Sequence, residues 1–331
     1  MTIGLARTGS GQAPGAASRQ RVLRGALPAA SLLIVLAAIW YFNPRAISYF
    51  GLNLMLNLAI PVALATIAQM CVMATNELDL SIGSFVGFVA CVTATYMTSQ
   101  PLLALLMLAG GILVYMLAAV VVHLRNVPSI VVTLGLSFFW AGLAVLIRPT
   151  PGGAAPAFLR DLMRWQPPFV PLPVLLAVLI GVGVHLLLMR SSYGAVLRGV
   201  GGNARAVSRA GWSILKAKVA MFALAGVFGI LSGLTLVGVS SSADANMATG
   251  YTLLSIAGAV IGGAEFIGGR ISPIGAVIGA LVLQLAASAL NFFKVPFLPG
   301  GRIPQEWQVG AQGMFLIVIL AARVLISKAE K

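Results

Sequence analysis

Seven acidic residues are spread over 331 positions, and two of them, Glu77 and Asp79, fall within NELDLSIGSF (76–85), between two long apolar runs. Carboxylates beside hydrocarbon-length segments often mark ion or proton pathways. They also satisfy backbone: Asp79 precedes Ser-Ile-Gly-Ser at a plausible helix start, where Asp79 or Ser81 is placed to accept hydrogen bonds from N–H groups without a helical partner. A negative charge there suits the positive end of the helix dipole. Glu77, Asp79 and Glu265 are all expected at cytoplasmic turns that water reaches, which favours solvated or capping roles over a proton relay. Material for catalysis is thinner. The two histidines, His123 and His185, are far apart near expected helix ends, and Cys71 and Cys91 lie in apolar runs with neither CxxC spacing nor a His cluster. They read as snorkelling and packing residues, not as metal ligands or a nucleophile with its base.

The elements that must position these residues are membrane spans. Hydrophobic residues make up 60% of the chain and charged residues 8%, against about 25% charged in soluble domains. The pattern predicts an all-α polytopic membrane protein of about ten transmembrane helices: 25–43, 50–75, 82–98, 101–123, 128–147, 168–189, 214–239, 251–264, 272–292 and 309–326. A disordered tail (1–24), a transmembrane domain (25–326) and a short C-terminal tail (327–331) are expected. The apolar run from Gly25 to Phe42 is too long for a usual signal-peptide core and lacks a clear A-x-A site, so it reads as a retained span.

The formal charge of +14 is scattered over loops and forms no basic face with interleaved aromatics, which argues against nucleic acid as a partner. Loop charge orients the chain instead. With the N-terminus cytoplasmic, 15 of the 21 Lys and Arg fall on inner segments and 6 (Arg45, Arg148, Arg160, Arg164, Lys294, Arg302) on outer ones, as the positive-inside rule requires. Both termini are then cytoplasmic. The longest inner connection runs from about Arg190 to Ser213, and the longest outer one is the Pro-rich 148–168.

Two further stretches carry information. YGAVLRGVGGNARAVSRAGW (193–212) sets the flexible Gly199, Gly201 and Gly202 beside a basic, modestly amphipathic segment with Asn203, Arg205 and Arg209; it reads as a docking element or as an ordinary basic inner loop. GGAEFIGGRISP (262–273) interrupts two apolar runs, and Gly262, Gly263, Gly268 and Gly269 permit a tight reversal. Small residues such as those in SGLTLVGV, IAGAVIGG and GAVIGALV let helices approach closely.

In this order and spacing the three stretches resemble the membrane subunits of bacterial sugar ABC importers, the ribose, xylose, arabinose and autoinducer-2 permease family, over nearly the whole chain after residue 25. The first is similar to that family's Gly-Ile-Asp-Leu-Ser-Val-Gly, with Asp79, Leu80, Ser81 and Gly83 retained and Glu77 in place of the first Gly. Gly201, Gly202 and Asn203 match its cytoplasmic Gly-Gly-Asn loop. Gly262, Gly263, Gly268 and Gly269, followed by Gly275 and Gly279, match its paired-glycine segment. Glu77, Glu265 and the long loop 296–308 depart from the pattern.

The resemblance implies a permease in the bacterial inner membrane that does no covalent chemistry itself. Pathway or gate candidates are Asp79, Ser81, Gly83, Asn126 and Ser129. The coupling segment would be Gly199, Gly201, Gly202, Asn203, Arg205 and Arg209, docking on an ATP-binding subunit. No G-x-x-x-x-G-K-[ST] occurs in the chain, so no cofactor is expected here, and ATP and Mg would sit on that partner. A periplasmic solute-binding protein would deliver substrate, and a second permease subunit, identical or paralogous, would complete the pathway amid membrane lipid. An ion-coupled secondary carrier or channel is the alternative.

Overall fold

The computed structural model describes residues 14–290, together with 310, 313 and 314. The expected last span (309–326) and the loop 296–308 lie almost wholly outside the described residues. Helix α1 (Pro14–Phe42) starts upstream of the expected span and packs on α12 (Pro273–Leu290). After a short 3-10 turn, α2 (Tyr49–Leu56) and α3 (Ala59–Met73) meet at a 46° bend. Pro61 explains it: a proline ring cannot coexist with straight helix over the preceding turn, because it clashes with the carbonyl four residues back.

Every residue of α3 is buried, as befits a helix that is apolar on all sides. Around it pack α4 (Ile82–Tyr96), α8 (Leu172–His185, continued as a π turn to Arg190), α10 (Ile214–Ser240), α11 (Tyr251–Ile261) and α12. Helices α5 (Pro101–Arg125) and α6 (Ser129–Ile147) complete the bundle. Their outer faces expose Leu102, Leu106, Val131 and Phe138 among others, apolar surface suited to hydrocarbon and not to water. Among the described residues no strand occurs, and four helices (α5, α6, α8 with its π turn, α10) are long and apolar enough to cross a membrane singly. The bent α2–α3 pair makes a fifth.

Two expected spans differ from simple helices. Helix α4 has 15 residues and α11 has 11, about 22 and 16 Å at 1.5 Å per residue, short of a hydrocarbon core of roughly 30 Å. Each borders irregular backbone, residues 77–81 before α4 and residues 262–272 after α11. The long 148–168 connection folds in part as α7 (Ala157–Arg164), which buries Leu159 and Met163, one turn apart, against α10 at Gly238. At that same end a single antiparallel bridge joins Gly152 to Ala243. At the other end α9 (Ser192–Arg209) packs beside α10.

Candidate functional site

Helix α3 stops at a left-handed Asn76 (φ 62°). The Asn76 N–H bonds the Met73 carbonyl (3.0 Å) and the Glu77 N–H reaches back to Val72 (3.4 Å), the paired closure that helix ends make around a left-handed residue. Asparagine tolerates that conformation better than other non-glycine residues. The chain then passes into the protein as irregular backbone, which is tolerated at membrane depth only when protein groups satisfy it.

Side chains from four helices do so. On α6, Ser129 Oγ accepts from the Leu78 N–H and Thr133 Oγ1 accepts from the Leu80 N–H, both at 3.0 Å. On α3, the Gln69 amide, turned so that both of its ends are satisfied, brackets the Asp79 backbone, donating to its carbonyl (2.9 Å) and accepting from its N–H (3.2 Å). On α11, Thr252 Oγ1 accepts from the Gly83 N–H at 3.1 Å. Asp79 itself is fully buried. Its Oδ1 accepts from the Ser81 N–H (2.7 Å) and the Ser81 hydroxyl (2.6 Å), and its Oδ2 accepts from the Tyr115 hydroxyl of α5 (2.8 Å). A buried carboxylate needs such partners. Each oxygen here has a donor.

These contacts correct one expectation and divide another. Asp79 is not at a water-washed turn; three residues beyond exposed Asn76 it is fully enclosed. It does accept a backbone N–H at the start of α4, whereas the Ser81 side chain caps nothing and donates to the carboxylate instead. Gly83 and Ser129 belong to the same cluster. Asn126 stands apart: exposed and left-handed (φ 51°), it ends α5 as a turn residue. Gln69, Tyr115, Thr133 and Thr252 were missed by sequence reading. Only the one-turn spacing of Ser129, Thr133 and Ser137 along an otherwise apolar helix hints at any of them.

The second and third stretches meet the first. Helix α9 is broken at Asn203 (φ −155°, ψ 85°), whose Oδ1 accepts from the Ala206 N–H at 3.0 Å. Asparagine thus caps a short second helix carrying exposed Arg205 and Arg209. Gly199 lies within the first half, where a Cβ would meet Val207 at 3.0 Å. Gly201 is the seam: a Cβ there would strike the Ala74 carbonyl and approach the Gly269 Cα to 2.8 Å. Gly202 is far less crowded, with the Gly268 carbonyl at 3.4 Å. In the glycine-rich turn, Gly263 (φ 105°), Gly268 (φ 100°) and Gly269 (φ 64°) are left-handed, while Gly262 is not and packs against Gly275 of α12. Glu77 pairs with Lys218 of α10 (2.5 Å), and Glu265 with Arg270 (3.5 Å).

The chain is similar to the ribose import permease protein RbsC of Escherichia coli (strain K12), 27% identical over 80% of this chain and 85% of that protein. It is 32% identical to the galactofuranose transporter permease protein YtfT of the same organism, over 69% of each chain. With the autoinducer 2 import system permease protein LsrD of Enterobacter sp. (strain 638) it shares 24% identity over 89% of this chain and 91% of that one. No solved structure matches it significantly. Residues 51–320 match the family described as branched-chain amino acid transport system / permease component, and the chain belongs to that family.

Proposed function

We propose that the chain is the permease subunit of a binding-protein-dependent ABC importer in the bacterial inner membrane, passing a sugar or sugar-like solute into the cytoplasm. The observation that carries this reading is the alignment of most of the chain with proteins named as ribose, galactofuranose and autoinducer 2 permeases. The family's description names amino acids, but relatives aligned over most of the chain's length are named for ribose, galactofuranose and autoinducer 2. Substrate class therefore follows the relatives.

In this reading the chain has about ten spans with both termini cytoplasmic, consistent with the excess of Lys and Arg on the side of α9. Residues 25–326 form the transmembrane domain between the two tails. A separate subunit binds and hydrolyses ATP with Mg, and docks on the second half of α9 through Arg205 and Arg209. A periplasmic solute-binding protein engages the end that carries α7. A second permease chain, identical or paralogous, faces this one across the pathway. Transport is by alternating access: closure of the ATP-binding pair moves α9, and the bundle changes the side on which the pathway opens. Asp79 and its partners hold one wall in shape; with every carboxylate oxygen already accepting, Asp79 is poorly placed to bind a travelling cation.

The test is uptake of labelled ribose or galactofuranose into proteoliposomes holding this chain, the ATP-binding subunit that copurifies with it and a solute-binding protein. Uptake should need all three components and ATP, and should survive collapse of ion gradients. Uptake by the chain alone, abolished when the gradients are collapsed, would establish the ion-coupled carrier in its place.

A further inference from the structure

The exposed stretch of α9 and the turn after it, Asn203–Ser213, leaves the packed body at Gly201 and rejoins it on the first turns of α10. Two adjacent residues hold both of those points. Asn76 Nδ2 donates to the Gly201 carbonyl at 2.8 Å, and Asn76 Oδ1 accepts from the Gly268 N–H at 3.0 Å. The side chain therefore ties the end of α3 to α9 and to the glycine-rich turn at once. The next residue, Glu77, pairs with Lys218 at 2.5 Å, four residues into α10, and both side chains are 15% exposed. Ion pairs that are largely shielded from water are screened less than surface pairs, so this contact holds position better than an exposed pair does.

From Asn76 and Glu77 the chain continues directly into the segment whose N–H groups and carboxylate are held by Ser129, Thr133, Gln69 and Tyr115. We infer that Asn76 and Glu77 form a two-point bracket through which displacement of the exposed α9 stretch reaches the irregular segment 78–81 and, with it, the start of α4. The two are positioning residues: they touch neither ATP nor solute. Coupling travels where packed elements are joined by specific contacts and are not free to slip. Here close backbone packing at Gly201 keeps α9 from moving inward, while the Asn76 hydrogen bonds and the Glu77–Lys218 pair resist separation and so make the segment follow. The inference rests on the permease reading above and supplies the role that sequence reading could not give Glu77.

Asn76→Gly tests the first point, because glycine adopts φ 62° without strain and removes only the two side-chain bonds. Glu77→Lys, Lys218→Glu and the two together test the second. Each variant is purified with the ATP-binding subunit and reconstituted with the solute-binding protein and ribose. The readouts are the amount of ATP-binding subunit retained and the ratio of hydrolysis with loaded binding protein to hydrolysis without it. Retention should match wild type, while the ratio falls about tenfold in Asn76→Gly and in each single charge reversal, a size typical of coupling between distant sites. The double reversal should recover most of the ratio. An unchanged ratio in Asn76→Gly, or a double reversal no better than the singles, overturns the bracket. Loss of the ATP-binding subunit from these variants overturns it as well, since the residues would then be shaping the docking surface. If the wild-type chain itself neither retains that subunit nor supports uptake, the permease reading fails first, and the two failures are told apart.

Discussion

The chain abandons helical geometry twice near the end that carries α9, and it secures the two interruptions by opposite means. Residues 77–81 are held by side chains of α3, α5 and α6, with Asp79 enclosed. Residues 262–272 are held largely by their own backbone. Gly263 closes α11 with paired bonds, Gly263 N–H to Val260 and Ala264 N–H to Ala259, and the Glu265 N–H bonds the Arg270 carbonyl across the turn. Phe266 and Ile267 project outward from it. The difference follows enclosure of the tip: Asp79 and Ser81 are fully buried, whereas Phe266, Ile267 and Arg270 are exposed. Where water reaches, glycine and local bonds suffice; where it does not, each freed N–H needs a partner carried in by another helix.

The largest expected effect follows from removing the central partner of the dry interruption. Asp79→Ala removes the acceptor of the Ser81 N–H and of the Ser81 and Tyr115 hydroxyls, which lie 3.2 Å apart and can still bond each other, so at least the N–H and one hydroxyl proton lose a partner. At about 1–3 kcal/mol for each buried group left unsatisfied, the loss should be about 3 kcal/mol or more. Helix capping alone would cost only about 1 kcal/mol. Asp79→Asn keeps one acceptor oxygen and should lose roughly half as much. The check is the midpoint of heat-induced loss of monodisperse protein in detergent. An Asp79→Ala midpoint equal to that of wild type would erase the contrast between the two interruptions.

How far this contrast was legible in the sequence depends on the reach of each contact. The α-helical class, the longest apolar spans and the existence of three informative stretches follow from composition and local pattern, because hydrocarbon length and glycine clustering are properties of contiguous residues. Asp79 stands out as an acid beside apolar runs, and Gly199, Gly201 and Gly202 as a glycine cluster in a basic segment; the helix break at Asn203 is seen only in the structure. The burial of Asp79 did not show, since it depends on Tyr115, Ser129 and Thr133, 36 to 54 positions away and unremarkable where they stand. The shortness of α4 and α11 is already visible in their expected spans, 82–98 and 251–264, which the structure trims to 15 and 11 residues. The Glu77–Lys218 pair joins residues with separation |i−j| of 141, and no local pattern could have proposed it.

An intermediate effect is expected at the seam where the two interruptions meet. Gly201 and Gly202 are equivalent in the sequence but not in the structure, because only Gly201 has backbone from both α3 and the glycine-rich turn where a Cβ would go. Gly201→Ala should cost about 1–3 kcal/mol, the usual range for overpacking a well-filled site. It should also weaken binding of the ATP-binding subunit if α9 shifts outward. Gly202→Ala meets only the Gly268 carbonyl at ordinary contact distance and should stay close to wild type. Paired measurements of melting midpoint and subunit retention decide this; equal effects at the two glycines would remove the seam.

The smallest effect is expected where the wet interruption carries a charge pair of its own. Arg270 Nη1 lies 3.5 Å from Glu265 Oε1, with side chains 65% and 43% exposed. Exposed pairs of this kind contribute about 0–1 kcal/mol, because water already solvates both charges and fixing two long side chains costs entropy. The turn has other support: the Glu265 N–H to Arg270 carbonyl bond uses backbone alone and does not depend on either side chain. Arg270→Ala should therefore move the melting midpoint by less than about 0.5 kcal/mol equivalent, the usual bound for a surface change. Raising salt should leave even that difference smaller, since exposed charges are screened within a Debye length. Lys218→Ala is the matched control, because its partner Glu77 is mostly shielded and adjoins the enclosed segment. A larger loss for Arg270→Ala than for Lys218→Ala would reverse the assignment of wet and dry to the two interruptions.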